Sequence, residues 1–503
     1  MRLLCALFPL AYLAALGAWV GMAELVARLA NDDQSYYILV ANNLFERGPT
    51  YDGVHLTNGV HPLFTLLLGA AYHVLPIGFS ELGAASIVLC VALGGAFVFV
   101  LLGVRASPPS IRVALLALMS SVAVYPILYR GMEGALALLV MALYLSAVTH
   151  RRTSLGLASA LALGLWAARL ELIAFAPIVI VIGARAGRLS PVEQRRLWLG
   201  WLASLVGFGL YALVSYRFIG LALPVSGLIK QMNPVFLPIF CALGGSALLG
   251  SLAGLGAGLR ARRGARAQGA AAAAFERGVE AAWMTRSVLA FMAVFYLSHA
   301  VGQADIQQQT WYYFPLPALL ACALLELGGE LAPALRRALA VACVAFAAGA
   351  TSWEARFVIP LRAESWRGMA AVAARAKQVA APGERFMGPG WMSLLVGPEF
   401  SPFSQDGLVG GAEQYRAIRA GRALEYAYDS GVRFLFTWSP ASAAAPPLPP
   451  PWQLQLVSTG EVPTGRSVWA TLLGDPAGCG LGRCSSFVSV YRLSVAPQAV
   501  QAH

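Results

Sequence analysis

Apolar blocks broken by short polar stretches recur from the N-terminus to about residue 357. Most approach the ~20 residues that a helix needs to cross a bilayer. They predict spans at about residues 3–22, 82–104, 112–129, 133–149, 154–168, 171–184, 197–215, 233–259, 287–303, 312–328 and 338–357, about eleven crossings in all. The pair 154–168 and 171–184 is short, and its shared turn carries Arg169 and Glu171. One more apolar stretch, His61 to Pro76, is bracketed by prolines, contains His73 and is short for a span.

The pattern changes after Val358. Charges become frequent, Pro and Gly rise, and no apolar run is long enough to cross. Ser365–Val379 predicts an amphipathic helix and Tyr415–Asp429 another. Segments 385–389, 433–438, 452–457 and 486–493 predict strands. Ala441–Pro451 reads as a Pro-rich linker within this part of the chain. The fold class is thus a polytopic α-helical membrane protein with a C-terminal α/β domain. A transmembrane module is expected over 1–357, with an outer loop at 23–81, and an extracytoplasmic domain over 358–503.

Composition agrees: the 503 residues are 58% hydrophobic and only 12% charged, with mean hydropathy +0.66. A net charge of +12 would first suggest nucleic acid. The arginines instead gather in short loops between apolar blocks, at 105, 112, 151, 152, 185, 188, 195 and 196 and again at 260–286 and 336–337. Such loops face the cytoplasm. That orientation holds only if the stretch 62–77 lies in the interface instead of crossing. The N-terminus is then cytoplasmic and the C-terminal domain outside. The first block is long and lacks a convincing cleavage site, so it predicts a retained helix. The protein is expected in a bacterial cytoplasmic (inner) membrane, with lipids as partners and no nucleic acid.

Cys5, Cys90, Cys241, Cys322 and Cys343 lie in apolar blocks and read as packing residues. Cys479 and Cys484 flank a Gly-rich tail loop. In an oxidising compartment they are expected to form a disulfide, the alternative being two surface thiols.

The stretch Asn31-Asp32-Asp33-Gln34-Ser35-Tyr36-Tyr37 follows the first apolar block. Adjacent carboxylates at a membrane helix end are costly unless they face water or a functional cavity. On the predicted topology the outer loops collect Asp32, Asp33, His61, Arg130, Glu133, Arg169, Glu171, Lys230, Asp305 and Trp311-Tyr312-Tyr313. Carboxylates among cations at a membrane surface suit transfer of a sugar from a lipid phosphate. Arg, Lys or His holds the phosphate, and a carboxylate takes the proton of the attacking hydroxyl.

Several pieces resemble the GT-C membrane glycosyltransferases, most of all the branch with the mycobacterial terminal arabinofuranosyltransferases. They are Asp32-Asp33-x-x-Tyr-Tyr, Ala41-Asn-Asn-Leu, Thr50-Tyr-Asp-Gly53 and Thr57-Asn-Gly-x-His-Pro-Leu63. Weaker pieces are Gly131-Met-Glu-Gly-Ala135, Ala168-Arg-Leu-Glu171, Leu223–Lys230, Trp311–Pro315 and Phe403–Val409. The resemblance implies a transferase that uses a polyprenyl-phosphate sugar donor and a glycan or glycolipid acceptor, with inversion and an Asp base in the first outer loop. Asp32 or Asp33 would be catalytic. Lys230, Arg130 and His61 would meet the donor phosphate. Tyr36, Asn58, Glu133, Arg169, Trp311 and Tyr312 would contact substrate. No cofactor or resident metal is expected to be required, with a divalent cation as the open alternative. Arg169-Leu-Glu171 departs from the more usual Arg-x-Asp of these enzymes.

Each position has a plainer alternative. Asp32 or Asp33 would cap a helix, and His61 would merely begin one before Pro62. Arg130 and Glu133 have the spacing of an i,i+3 ion pair, and Lys230 that of an interfacial snorkelling residue. Trp311-Tyr312-Tyr313 reads first as an aromatic belt. Other readings of the whole chain are an oligosaccharide ligase or protein glycosyltransferase, a transporter and a non-catalytic assembly scaffold. A transporter would carry charges through span centres and an internal repeat, and the sequence has neither.

Overall fold

The computed structural model describes residues 2–22, 25–26, 32–75, 78–104, 107–121, 124–151, 153–232, 238–265, 282–300, 310–405, 407–439, 446–464 and 484–496. Up to residue 379 the described residues are mostly helical, and a small mixed sheet follows.

The helical part comprises α1 (Arg2–Val20), α2 (Asp32–Arg47), α3 (Pro62–Val74), α4 (Phe79–Val104), α5 (Pro109–Ser120), α6 (Gly134–Thr149), α7 (Leu155–Ala168) and α8 (Phe175–Arg185). It continues with α9 (Pro191–Ile219), α10 (Val225–Lys230), α11 (Pro238–Ala265), α12 (Trp283–Ala300), α13 (Pro315–Leu327) and α14 (Pro333–Trp353). Proline opens α3, α5, α9, α13 and α14. Its fixed φ suits the first turn, where the missing N–H costs nothing. At α9 a capping box adds to this: Ser190 Oγ accepts from the Glu193 amide at 3.3 Å, and Glu193 accepts from the Ser190 amide at 2.7 Å. At α12 the cap comes from afar. Buried Glu326 accepts the amides of Met284 at 3.0 Å and Thr285 at 2.8 Å.

Among the described residues, each stretch where a span is expected contains helix. Among the described residues, three are long and apolar enough to cross a membrane: Glu81–Val104, Pro191–Ile219 and Pro333–Val379. The other apolar helices have 10–17 residues. α3, with 13 residues, is roughly 20 Å long, below the ~30 Å of a bilayer core.

Three elements differ from the sequence reading. The expected helix 112–129 stops at Ser120, and a one-turn helix, Tyr125–Leu128, follows. Pro126 falls in the first turn of that short helix, where its missing N–H costs nothing, and the Tyr129 hydroxyl donates to the Met119 carbonyl left open at the end of α5. The expected helix 415–429 divides into α17 (Ala412–Arg419) and α18 (Ala423–Asp429). Gly421, at φ +70, makes the break. The helix expected from Ser365 begins earlier, as α15 (Ile359–Val379), and a π-turn at Glu354–Val358 joins it to α14 without interruption. The change in composition at Val358 therefore falls inside one continuous helix.

The sheet contains β1 (Arg385–Gly388), β2 (Phe403–Ser404), β3 (Val432–Ser439), β4 (Trp452–Thr464) and β5 (Cys484–Val495), with α16 (Gly390–Val396) after β1. Its order is β2-β1-β3-β5-β4. β1 runs parallel to β2 and β3, and β5 lies antiparallel between β3 and β4. β4 is longer than its predicted strand because its ladder with β5 runs from Trp452 opposite Val495 to Thr464 opposite Cys484. α15 covers one face. Its Met369, Val372, Ala373 and Ala376 pack on Phe386, Phe434, Phe436, Val462, Val488 and Val490.

Candidate functional site

α2 begins at Asp32, where a carboxylate is favoured by the helix dipole. Residues three and four apart share a helix face, and Asp33, Tyr36 and Tyr37 together line one wall of a cavity of about 390 Å³. The loop before α3 adds Gly59, Val60 and His61, and the α6 approach adds Glu133. Arg169 and Glu171 enter from the turn between α7 and α8, and Ser298 and His299 from the end of α12. The far wall is α10 with Lys230, next to Tyr312, and Leu408 of the C-terminal part reaches the rim.

A charged array crosses this cavity. Arg169 and Glu133, each 2% exposed, pair at 2.9 Å between Nη1 and Oε1. Arg169 Nε lies 3.3 Å from Glu171 Oε2. His61 Nε2 stands 3.6 Å from Glu133 Oε1, and His299 Nε2 stands 3.6 Å from Glu171 Oε1. The His299 ring is fixed from behind, because its Nδ1 donates to the Phe295 carbonyl at 2.7 Å. The Arg169 guanidinium lies over the rings of Phe314, Tyr312 and Phe295 at 4.7, 5.1 and 5.9 Å. Glu133 Oε2, Glu171 Oε2 and Arg169 Nε are buried with no hydrogen-bond partner among the described residues. Such groups are costly unless something else completes them. Lys230 Nζ donates to the Tyr312 hydroxyl at 2.8 Å. Asp33 is near enough to act electrostatically on Lys230.

The candidate residues therefore divide. Asp33, Tyr36, His61, Glu133, Arg169, Lys230 and Tyr312 meet at the cavity. His61 makes no capping bond, and Glu133 takes its ion pair from Arg169. Arg130 is half-buried and does not line the cavity. Asn58 is buried beside it and is bonded wholly within the fold. Its Nδ2 donates to Ser215 Oγ and to the Leu221 and Leu223 carbonyls, and its Oδ1 accepts from the Val225 amide. The side chains of Asp32, Trp311 and Cys484, together with Asp305 and Cys479, lie outside the described residues, and so does the expected disulfide. Sequence reasoning missed His299. Its signal was a histidine inside an apolar span, a costly placement that points to function.

Among the described residues, no group of three or more His, Cys, Asp or Glu is placed to hold a metal ion.

A second charged cluster joins the first loop to the sheet. Arg385 of β1 donates from Nη2 to Asp52 at 2.6 Å, from Nε to the Ser401 carbonyl at 2.9 Å and from Nη1 to the Ser430 carbonyl at 3.1 Å. Asp52 also accepts from Thr50 Oγ1, from the Val54 and His55 amides and from His55 Nδ1. Burial alone would raise the Asp52 carboxyl. The His55 hydrogen bond and the Arg385 charge outweigh it and hold the pKa well below the usual carboxylate range. The same bond to Asp52 raises His55, against the pull of burial.

No family model and no curated protein matches the chain. Among solved structures, it is similar to the Archaeoglobus fulgidus oligosaccharyltransferase in its apo form, at TM-score 0.41 and 12% identity over 86% of this chain and 69% of that one. It is also similar to ArnT from Cupriavidus metallidurans bound to undecaprenyl phosphate, at TM-score 0.47 and 16% identity over 95% of this chain and 98% of that one. Both likenesses are distant.

Proposed function

We propose that the chain is a GT-C-type glycosyltransferase of a bacterial inner membrane. It moves a sugar from a polyprenyl-phosphate donor to a glycan or glycolipid hydroxyl on the extracytoplasmic face. The observation that carries this reading is the pairing of opposed chemistries in one cavity, lined by the Asp33 carboxylate and by Lys230 with Tyr312.

The donor phosphodiester carries one negative charge and gains a second as the sugar leaves. Lys230 and the Tyr312 hydroxyl donate to the oxygen on which that charge grows. Asp33 takes the proton of the acceptor hydroxyl as its oxygen attacks the anomeric carbon. The carbon–oxygen bond to phosphate breaks, the electron pair stays on the phosphate oxygen, and polyprenyl phosphate departs. Attack from the opposite side inverts the anomeric centre. Arg169 is occupied by Glu133 and Glu171, so it shapes the cavity and leaves the phosphate to Lys230. Asp33 is taken as the base because its side chain lines the cavity; the side chain of Asp32 lies outside the described residues.

Transfer in proteoliposomes, with a panel of polyprenyl-phosphate sugars and glycan acceptors, tests this. The parent should transfer from at least one donor with inversion. Asp33→Asn should lose ~10²–10⁴-fold in rate, as expected for removal of a general base, with its melting temperature unchanged. If Asp32→Asn and Asp33→Asn both transfer at the parental rate, the reading fails. Transfer only from pyrophosphate-linked oligosaccharides would move it to an oligosaccharide ligase.

A further inference from the structure

We infer that Asn58 is a positioning residue that sets Lys230 against the first loop, so that affinity for the donor phosphate depends on a side chain outside the cavity. This rests on Lys230 as the phosphate ligand in the reading above.

Asn58 is 4% exposed. Its Nδ2 reaches Ser215 Oγ at 2.7 Å, the Leu223 carbonyl at 2.9 Å and the Leu221 carbonyl at 3.3 Å. Its Oδ1 accepts from the Val225 amide at 2.9 Å. These partners are the last turns of α9, the turn that follows, and the first residue of α10. α10 has six residues, Lys230 is its last, and its N-cap, Pro224, supplies no side-chain bond. So short a helix does not hold itself in place. Asn58 closes its open first turn from another part of the chain.

The next residue shows how close the joint is. A Cβ on Gly59 would stand 2.0 Å from the Leu408 carbonyl oxygen and 3.1 Å from Val225 Cγ1. Gly59, Val60 and His61 then line the cavity. One amide therefore fastens the wall with His61 to the wall with Lys230. The site requires an amide, since it supplies donors to two carbonyls and an acceptor to one N–H. A carboxylate would face the Leu221 and Leu223 carbonyls with oxygen against oxygen.

The test uses the full chain in nanodiscs, with binding of solanesyl phosphate read by native mass spectrometry. Lys230→Ala should weaken binding roughly tenfold or more. Asn58→Ala should weaken it roughly five- to tenfold. The double variant should bind no more weakly than Lys230→Ala alone, because Asn58 acts through Lys230. Losses that multiply in the double variant, or parental binding by Asn58→Ala while Lys230→Ala is weak, overturn the inference and leave the proposed function standing. Parental binding by Lys230→Ala overturns both. If Asn58→Ala does not fold, Ser215→Ala takes its place, since it removes one acceptor and keeps the amide. It should show a smaller loss with the same non-additivity, and multiplying losses there also overturn the inference.

Discussion

Two buried arginines are paired with carboxylates in opposite ways. Arg385 is closed, with Nε, Nη1 and Nη2 each donating within the fold and Asp52 accepting from Thr50, Val54 and His55 besides. Arg169 is open. Its pairs with Glu133 and Glu171 leave Nε and one oxygen of each carboxylate without a hydrogen bond, and both carboxylates border the cavity. The first network meets its donors and acceptors, whereas the second leaves three buried polar atoms unmet beside the cavity. The first cluster fastens the loop to the sheet. The second borders the cavity.

The contrast breaks most sharply at Arg385. Arg385→Met strands the Asp52 carboxylate and should cost ~3–5 kcal/mol of stability, the penalty for one partner of a buried pair. Thermal unfolding in detergent measures it, and a parental melting temperature would refute the closed network. Lys230→Met should do the reverse. Loss of one charged phosphate contact should weaken donor affinity about tenfold, or ~1.4 kcal/mol. Melting should hold or rise, because sites kept for ligands are poorly optimised for stability. A large fall in melting temperature would make Lys230 a structural cation.

The smallest effect concerns pH. His55 has a raised pKa. Its contribution is full below the ordinary histidine value of ~6.5 and is lost as pH rises through the folded value. Asp52 is depressed, so its contribution is present above ~3.9 and lost only as pH falls through the folded value. The junction is firmest between these limits. Melting of the parent should therefore decline modestly above neutral pH, and His55→Gln should flatten that slope. An unchanged slope would remove His55 from the junction.

The helices were legible because long apolar blocks announce themselves. Their ends were less so. At the break after Ser120 a Tyr129 hydroxyl reaches back to the Met119 carbonyl, and no local pattern shows that reach. Asp33 was legible as a charge where charge is costly. The pairing of Glu133 was not. The i,i+3 spacing favours Arg130, while the structure gives it Arg169 from another helix. His299 was hidden among apolar neighbours. Thr50-Tyr-Asp-Gly53 was visible as a motif without a role, since Arg385 lies 333 residues from Asp52. In each miss the deciding partner was remote in sequence.

The 47-residue helix from Pro333 to Val379 carries one more consequence. It is roughly 70 Å long, more than twice the hydrocarbon thickness of a bilayer. Trp353 and Phe357, at 40% and 51% exposure, mark its π-turn with rings suited to the headgroup level. The half after them carries the sheet on one face. Leu408, from the same C-terminal part, reaches the rim of the cavity. The two halves form one continuous helix, so any tilt of the first half is carried into the sheet and to Leu408 at the cavity rim.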